Sequence, residues 1–225
     1  MPPDHLFLTF INNIITVIMM NIRKVLIRYI LNIGAVLSGE GCEVHPDCER
    51  ILLTEEEIRA KVQELGRRIS SDYAGKEVLL IGILKGAMIF LADLVREITV
   101  PTQFDFMAVS SYGSSSKSSG EVRILKDLEY GVEGRNIILV EDIVDTGLTL
   151  NYLAENLMSR DPASVKICTL LDKPSRRVEP VEIDYKGFVI RDDFVVGYGL
   201  DYSDRYRNFP CIMVLSPKVY INEGE

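Results

Sequence analysis

The stretch Val140-Glu141-Asp142-Ile143-Val144-Asp145-Thr146-Gly147-Leu148-Thr149-Leu150 decides how this chain is read. Asn136-Ile137-Ile138-Leu139 leads into Val140, and a run this rich in branched aliphatic residues reads as a strand buried on both faces. Leu150, Leu153, Ala154 and Leu157 then recur on one helical face. The stretch is therefore a strand, a turn and a helix, with Glu141 and Asp142 at the strand end and Asp145, Thr146 and Gly147 opening the helix. In open α/β sheets, ligands bind outside the carboxyl ends of the strands. Backbone N–H groups and hydroxyls between Asp145 and Thr149, at a helix N-terminus, make an anion site suited to a phosphate. Glu141 and Asp142 can accept hydrogen bonds from sugar hydroxyls beside it. Three carboxylates around a phosphate nest imply a sugar phosphate, with a divalent cation to offset the charge. An ordinary N-cap with solvated acids would account for a generic D-x-G turn, but not for adjacent carboxylates at the end of a buried strand.

Outward from this segment the pattern repeats. Thr54-Glu55-Glu56-Glu57 reads as a capping box, and Ile58, Val62, Leu65 and Ile69 follow at helical spacing. Residues 77–84 read as a buried strand, 87–95 as a helix and 104–111 as a second strand. Further strands are expected at 122–125, 164–171, 185–190, 194–196 and 211–215. Alternating strands and helices predict an α/β fold, a mostly parallel sheet flanked by helices. The short late strands are expected to form a small hood. Tyr112-Gly-Ser-Ser-Ser-Lys-Ser-Ser-Gly-Glu121 is too polar to pack and too rich in glycine and serine to be stiff. It reads equally as a disordered connector or as a flexible lid over a substrate.

Composition removes several function classes. Among 225 residues the net charge is -8, which disfavours general binding to a phosphate backbone. The only histidines, His5 and His45, precede the first convincing helix, so a Ser-His-Asp triad or a histidine-rich zinc site in the folded domain is not expected. There is no Walker sequence, and Gly197-Tyr198-Gly199 lacks the third glycine of a dinucleotide fingerprint. Cys42, Cys48, Cys168 and Cys211 form no C-x-x-C pair and read as reduced thiols of a cytoplasmic protein, with Cys168 and Cys211 in the core.

Residues 1–43 differ from the rest. The apolar stretch 6–20 is broken by Asn12 and Asn13 and is shorter than the roughly 20 residues of a membrane helix. A membrane-surface helix over 21–37 is one reading. The favoured reading is an N-terminal extension that does not belong to the native chain. Gly39-Glu40-Gly41 can be encoded by a purine-rich run like a ribosome-binding site, and Val44, whose codon GTG also starts translation, follows at a suitable interval. The working domain is then 44–225, and the intact mass of the native protein tests this.

The segment 140–150 resembles the phosphoribosyl-pyrophosphate signature of type I phosphoribosyltransferases. Leu84-Lys85-Gly86, Ser111-Tyr112, Leu171-Asp172-Lys173, Phe194-Val-Val-Gly-Tyr-Gly-Leu-Asp201 and Arg207 narrow the resemblance to the hypoxanthine (hypoxanthine-guanine) phosphoribosyltransferases, over residues 50–217. The resemblance implies purine salvage: transfer of a phosphoribosyl group from phosphoribosyl pyrophosphate to hypoxanthine or guanine, with Mg²⁺, in a homodimer or homotetramer without nucleic-acid or membrane partners. It implies that Glu141 and Asp142 hold the ribose hydroxyls and that Asp145 manages the proton at purine N7. Thr146, Gly147, Leu148 and Thr149 would cradle the 5′-phosphate. Lys85, Gly86 and Arg207 would meet pyrophosphate, next to a peptide that is often cis in the family. Lys173 would read the purine 6-oxygen, Phe194 would stack on the base and Val195 would contact its edge. Asp201, with Glu141 and Asp142, would hold the metal, and Ser111 and Tyr112 would open the lid.

Without that resemblance, Lys173 beside Pro174, Arg176 and Arg177 reads as a solvated basic turn, Phe194 as core and Arg207 as surface. Two other functions use the same fold: a xanthine- or adenine-preferring relative, and a non-catalytic regulator that binds nucleic acid.

Overall fold

Strand β1 (Cys48–Leu53) leads into helix α1 (Glu55–Asp72), strand β2 (Val78–Leu84), helix α2 (Met88–Glu97), and strands β3 (Thr102–Ser111) and β4 (Val122–Lys126). Then come β5 (Asn136–Val144), α3 (Leu148–Met158), β6 (Ser164–Asp172), a 3-10 turn (Pro174–Arg176), β7 (Tyr185–Val189), β8 (Val195–Val196), β9 (Ile212–Leu215) and the short helix α4 (Pro217–Ile221). This is a computed structural model, and it describes residues 42–111 and 122–221. The chain divides into two units, Met1–Glu43 and Val44–Glu225. The expected extension up to residue 41 and the lid residues 112–121 lie outside the described residues.

Six strands form the main sheet in the order β4-β3-β2-β5-β6-β7. All neighbours are parallel except β3 and β4. The continuous apolar runs follow from cover on both faces. Val78, Leu80, Ile138 and Val140 pack with Ile58, Val62, Leu65 and Ile69 of α1 and with Phe90, Leu91 and Leu94 of α2. Their alternates Leu79, Ile81, Ile137 and Leu139 pack on the other side with Leu150, Leu153 and Leu157 of α3. The period of two along each strand thus sorts one apolar run into two cores. The capping box on α1 is complete: Glu57 N donates to Thr54 Oγ1 at 3.2 Å, and Thr54 N donates to Glu57 Oε2 at 2.8 Å.

Three expectations are corrected. The hood is a three-stranded sheet, β1-β9-β8, and β1 lies before the capping box, where no strand is expected from the sequence. Its residues Arg50 and Glu49 are exposed, so only pairing with β9 reveals it. Strand β7, assigned to the hood from its length, instead extends the main sheet beside β6. Cys48 and Cys168 are free, but Cys42 and Cys211 are disulfide-bonded. Spacing along the chain does not report the oxidation state of a cysteine. Among the described residues, no helix is long and apolar enough to cross a membrane.

Candidate active site

Chain connections change direction between β2 and β5: β2 leads to β3 on one side, and β5 leads to β6 on the other. Such a switch leaves a crevice at the strand ends. The sequence places Lys85 and Gly86 after β2 and Glu141 and Asp142 at the end of β5, so the switch point gathers residues more than fifty positions apart. The Leu84–Lys85 peptide is cis, as the resemblance implied. A Cβ on Gly86 would lie 1.9 Å from Asp142 Oδ2, and one on Gly199 would lie 2.1 Å from Gly86 O. These glycines let three chain segments touch.

Two cavities open in the crevice and share Ile143 and Asp145. The smaller, about 100 Å³, is lined by Glu141, Thr146, Gly147 and Thr149. The larger, about 250 Å³, is lined by Asp142, Lys173, Phe194, Val195 and Asp201. Asp145 therefore stands where the two meet.

The smaller cavity sits at the start of α3. Gly147, the N-cap, has φ of 88° and no side chain caps the helix. The first N–H groups of α3, beginning at Leu148, are left for another acceptor, and the helix dipole favours an anion there. A capping side chain would add about 1 kcal/mol. Three buried leucines at roughly 1.5–3 kcal/mol each hold the helix without it. The open end is thus stable and available.

The two acids of β5 face different cavities. Burial, and then the neighbouring charge of Asp142, pushes the Glu141 carboxyl well above the usual carboxylate range, and its Oε2 has no hydrogen-bond partner. Asp142 is 8% exposed, and burial pushes it up to about 6 although its Oδ1 accepts a bond from Ile143 N at 2.9 Å. Two adjacent buried carboxylates that the protein does not fully neutralise are poised for hydroxyl donors or a cation.

In the larger cavity, Lys173 is 8% exposed and donates to Asp193 O at 2.5 Å. Burial draws its ammonium below the ordinary lysine value. It is not the solvated turn residue that local sequence suggested. Phe194 is 40% exposed rather than core, and stacks on Tyr220 with ring centroids 5.3 Å apart. Val195 is buried beside it. Asp145 Oδ1 lies 3.0 Å from Arg176 Nε, and Arg176 also reaches Asp192 at 3.5 Å.

Lys85 and Arg207 converge on one carboxylate. Lys85 Nζ is 3.0 Å and Arg207 Nη2 is 3.1 Å from Asp204 Oδ1. Arg207 also pairs with Asp201 at 2.7 Å and donates to Gly199 O at 2.7 Å. Two cations far apart in sequence are thus brought together on one pair of carboxylates, Asp201 and Asp204. Sequence reasoning missed Arg176, Asp192, Asp193, Asp204 and Tyr220, which carry no motif and gain their place only through loop packing. Ser111 ends β3, and Tyr112 lies outside the described residues.

Among the described residues, no three His, Cys, Asp or Glu side chains form a cluster that could hold a metal ion by themselves. A larger cavity of about 410 Å³, lined by residues such as Arg59, Asp93, Arg96 and Tyr198, shares no lining residue with the other two. Four of its charged residues pair with one another, Arg59 with Glu55 at 2.8 Å and Arg96 with Asp93 at 3.5 Å.

A family model described as a phosphoribosyl transferase domain matches residues 51–203. A hypoxanthine-guanine phosphoribosyltransferase of Mycobacterium bovis is 54% identical over 194 residues, covering 83% of this chain and 96% of the relative. The Bacillus subtilis protein of the same name is 55% identical over 174 residues, covering 77% of this chain and 97% of its own. The crystal structure of a hypoxanthine phosphoribosyltransferase from Staphylococcus aureus superposes with a TM-score of 0.76 at 48% identity, covering 78% of this chain and 96% of that one. The chain belongs to the phosphoribosyltransferase family, among the hypoxanthine-guanine phosphoribosyltransferases.

Proposed function

We propose that this chain transfers the 5-phosphoribosyl group from phosphoribosyl pyrophosphate to N9 of hypoxanthine or guanine, giving IMP or GMP and pyrophosphate. The observation that carries the reading is the junction at Asp145: an anion pocket on one side and, on the other, a pocket with an aromatic wall and a buried ammonium. The 5′-phosphate binds Thr146, Gly147, Leu148 and Thr149 at the α3 N-terminus. Glu141 and Asp142 accept from the ribose hydroxyls. Phe194 stacks on the base, the Val195 backbone meets its edge and Lys173 donates to the 6-oxygen.

In the reaction, the ribose C1′ gains oxocarbenium character as pyrophosphate leaves. Lys85 and Arg207 stabilise the departing charge once they exchange Asp204 for it. Asp145 takes the proton as N9 becomes nucleophilic. Magnesium is normally held by one or two carboxylates together with substrate oxygens and water. The partnerless Glu141 Oε2 and the acids Asp142 and Asp201 fit that kind of site, and Mg²⁺ would supply neutralisation of the leaving pyrophosphate there.

The test is a purine panel with phosphoribosyl pyrophosphate, with and without Mg²⁺, reading nucleotide formation. Hypoxanthine and guanine should be consumed only with the metal. Preferred turnover of xanthine or adenine would reassign the base pocket, and no turnover of any base would refute the reading.

A further inference from the structure

The phosphate loop is gripped from behind by residues that line neither cavity. Asp172, the last residue of β6, is 3% exposed. Its Oδ1 accepts a bond from Arg177 Nη2, and its Oδ2 pairs with Lys186 Nζ at 2.7 Å. So held, Arg177 donates through Nε to Asp145 O at 3.0 Å and through Nη2 to Val144 O at 3.4 Å. The next two residues continue the contact: Val178 N and Glu179 N donate to Thr146 O at 2.9 and 3.0 Å. The carbonyls of residues 144, 145 and 146 all meet the 177–179 segment; Val144 O is also held by Lys173 N at 2.9 Å, so Asp145 O is the carbonyl that Arg177 chiefly fixes. A Cβ on Gly147 would lie 3.1 Å from Arg177 Cδ and 2.4 Å from Glu179 O, so the loop lies directly on this support.

Peptide geometry gives the contact a consequence. In a planar trans peptide, the carbonyl and the following N–H point in opposite directions. Among the described residues the one cis bond is Leu84–Lys85. With carbonyls 144–146 turned to Arg177 and its neighbours, the N–H groups of Asp145, Thr146 and Gly147 are turned away from them. A loop without this restraint could rotate its peptides and present carbonyls, which repel an anion.

We propose that Arg177, locked by Asp172 and Lys186, is a positioning residue that sets the peptide orientation of the phosphate loop. The proposal rests on reading the α3 N-terminus as the phosphate site. Arg177 touches no substrate; it acts through the backbone of Val144 and Asp145. Lysine cannot replace it, because a single ammonium lacks the fork that spans the Asp172 carboxylate and two carbonyls.

The test compares wild type, Arg177→Met, Arg177→Lys and the double variant Arg177→Met with Asp172→Leu. Replacing both partners of a buried ion pair by apolar residues often preserves stability, whereas removing one leaves a buried charge. The double variant therefore separates loop position from folding. Three readouts are taken: the melting midpoint, calorimetric binding of ribose 5-phosphate, and KM for phosphoribosyl pyrophosphate and for hypoxanthine. Arg177→Met and Arg177→Lys should weaken ribose 5-phosphate binding about tenfold, in line with the loss of two directed hydrogen bonds. KM for the sugar phosphate should rise by a similar factor, with a smaller change for hypoxanthine. The double variant should melt near wild type yet keep the binding defect. Recovery of binding together with stability would assign Arg177 a purely structural role and overturn the proposal, as would wild-type binding in either single variant. An inactive wild type would refute the proposed function alone, since ribose 5-phosphate binding still reads the loop.

Discussion

Gly86→Ala tests whether the crevice depends on the closeness of three chain segments. The added methyl would lie 1.9 Å from Asp142 Oδ2 and 2.6 Å from its Cγ. Carbon and oxygen ordinarily approach to about 3.3 Å, so roughly 1.4 Å of overlap must be relieved. On the far side, Gly199 already lies against Gly86 O, so the turn cannot simply back away. The carboxylate of Asp142 has to move, and its Oδ1 gives up the bond from Ile143 N in a position only 8% exposed. Losing a buried hydrogen bond or overpacking a close contact each costs about 1–3 kcal/mol. At about 2–4 °C per kcal/mol for a chain of this size, the melting midpoint should fall by about 2–12 °C. Because Asp142 is the proposed acceptor for ribose hydroxyls, KM for phosphoribosyl pyrophosphate should rise about tenfold or more, with a smaller change for hypoxanthine. Scanning calorimetry and steady-state kinetics with each substrate varied would measure both effects. An alanine variant with the wild-type midpoint and the wild-type KM would show that Asp142 is not held where the structure places it.

Base recognition and proton transfer should separate. Asp145→Asn should lower kcat about 10²–10⁴-fold with a modest change in base affinity, whereas Lys173→Ala should raise KM for hypoxanthine and guanine and narrow their advantage over adenine; kinetics of both variants on three bases would check this, and near-wild-type kcat in Asp145→Asn would remove it as the base. Asp105 supplies a pH prediction. Burial alone would raise its carboxyl, but bonds from Glu129 N at 2.9 Å and Phe106 N at 2.7 Å, and Lys126, bring it below the ordinary value of 3.8. A carboxyl with a depressed folded-state pKa contributes stability above its unfolded value and loses it as pH falls through the folded one. Asp105→Asn should therefore be less stable than wild type by about 1–3 kcal/mol at pH 7. Urea midpoints should show that gap closing as pH falls below 3.8; a gap independent of pH would contradict the assignment.

The sequence by itself determined the parts of this protein whose physics is local. A strand buried on both faces must be apolar throughout, so β2, β5 and β6 were visible as runs. The face of α1 was visible from its spacing, and its start from reciprocal bonds between residues three apart. The turn from Glu141 to Thr149 was legible because a strand end, acids, hydroxyls and a glycine lie within nine consecutive residues. Lys173, Phe194 and Arg207 became candidates only through the family resemblance, since composition assigned each an ordinary place. Tertiary structure decided the rest. Strand β1 exists because β9 pairs with it, and β7 belongs to the main sheet because β6 has a free edge. The ammonium of Lys173 is buried because the loop bearing Asp193 folds over it, and Arg177 meets the phosphate loop because β6 delivers Asp172 beside Val144. Hydrogen bonds and ion pairs across dozens of residues leave no period and no spacing in the chain; their partners are fixed only once the two cores have packed and brought the strand ends together.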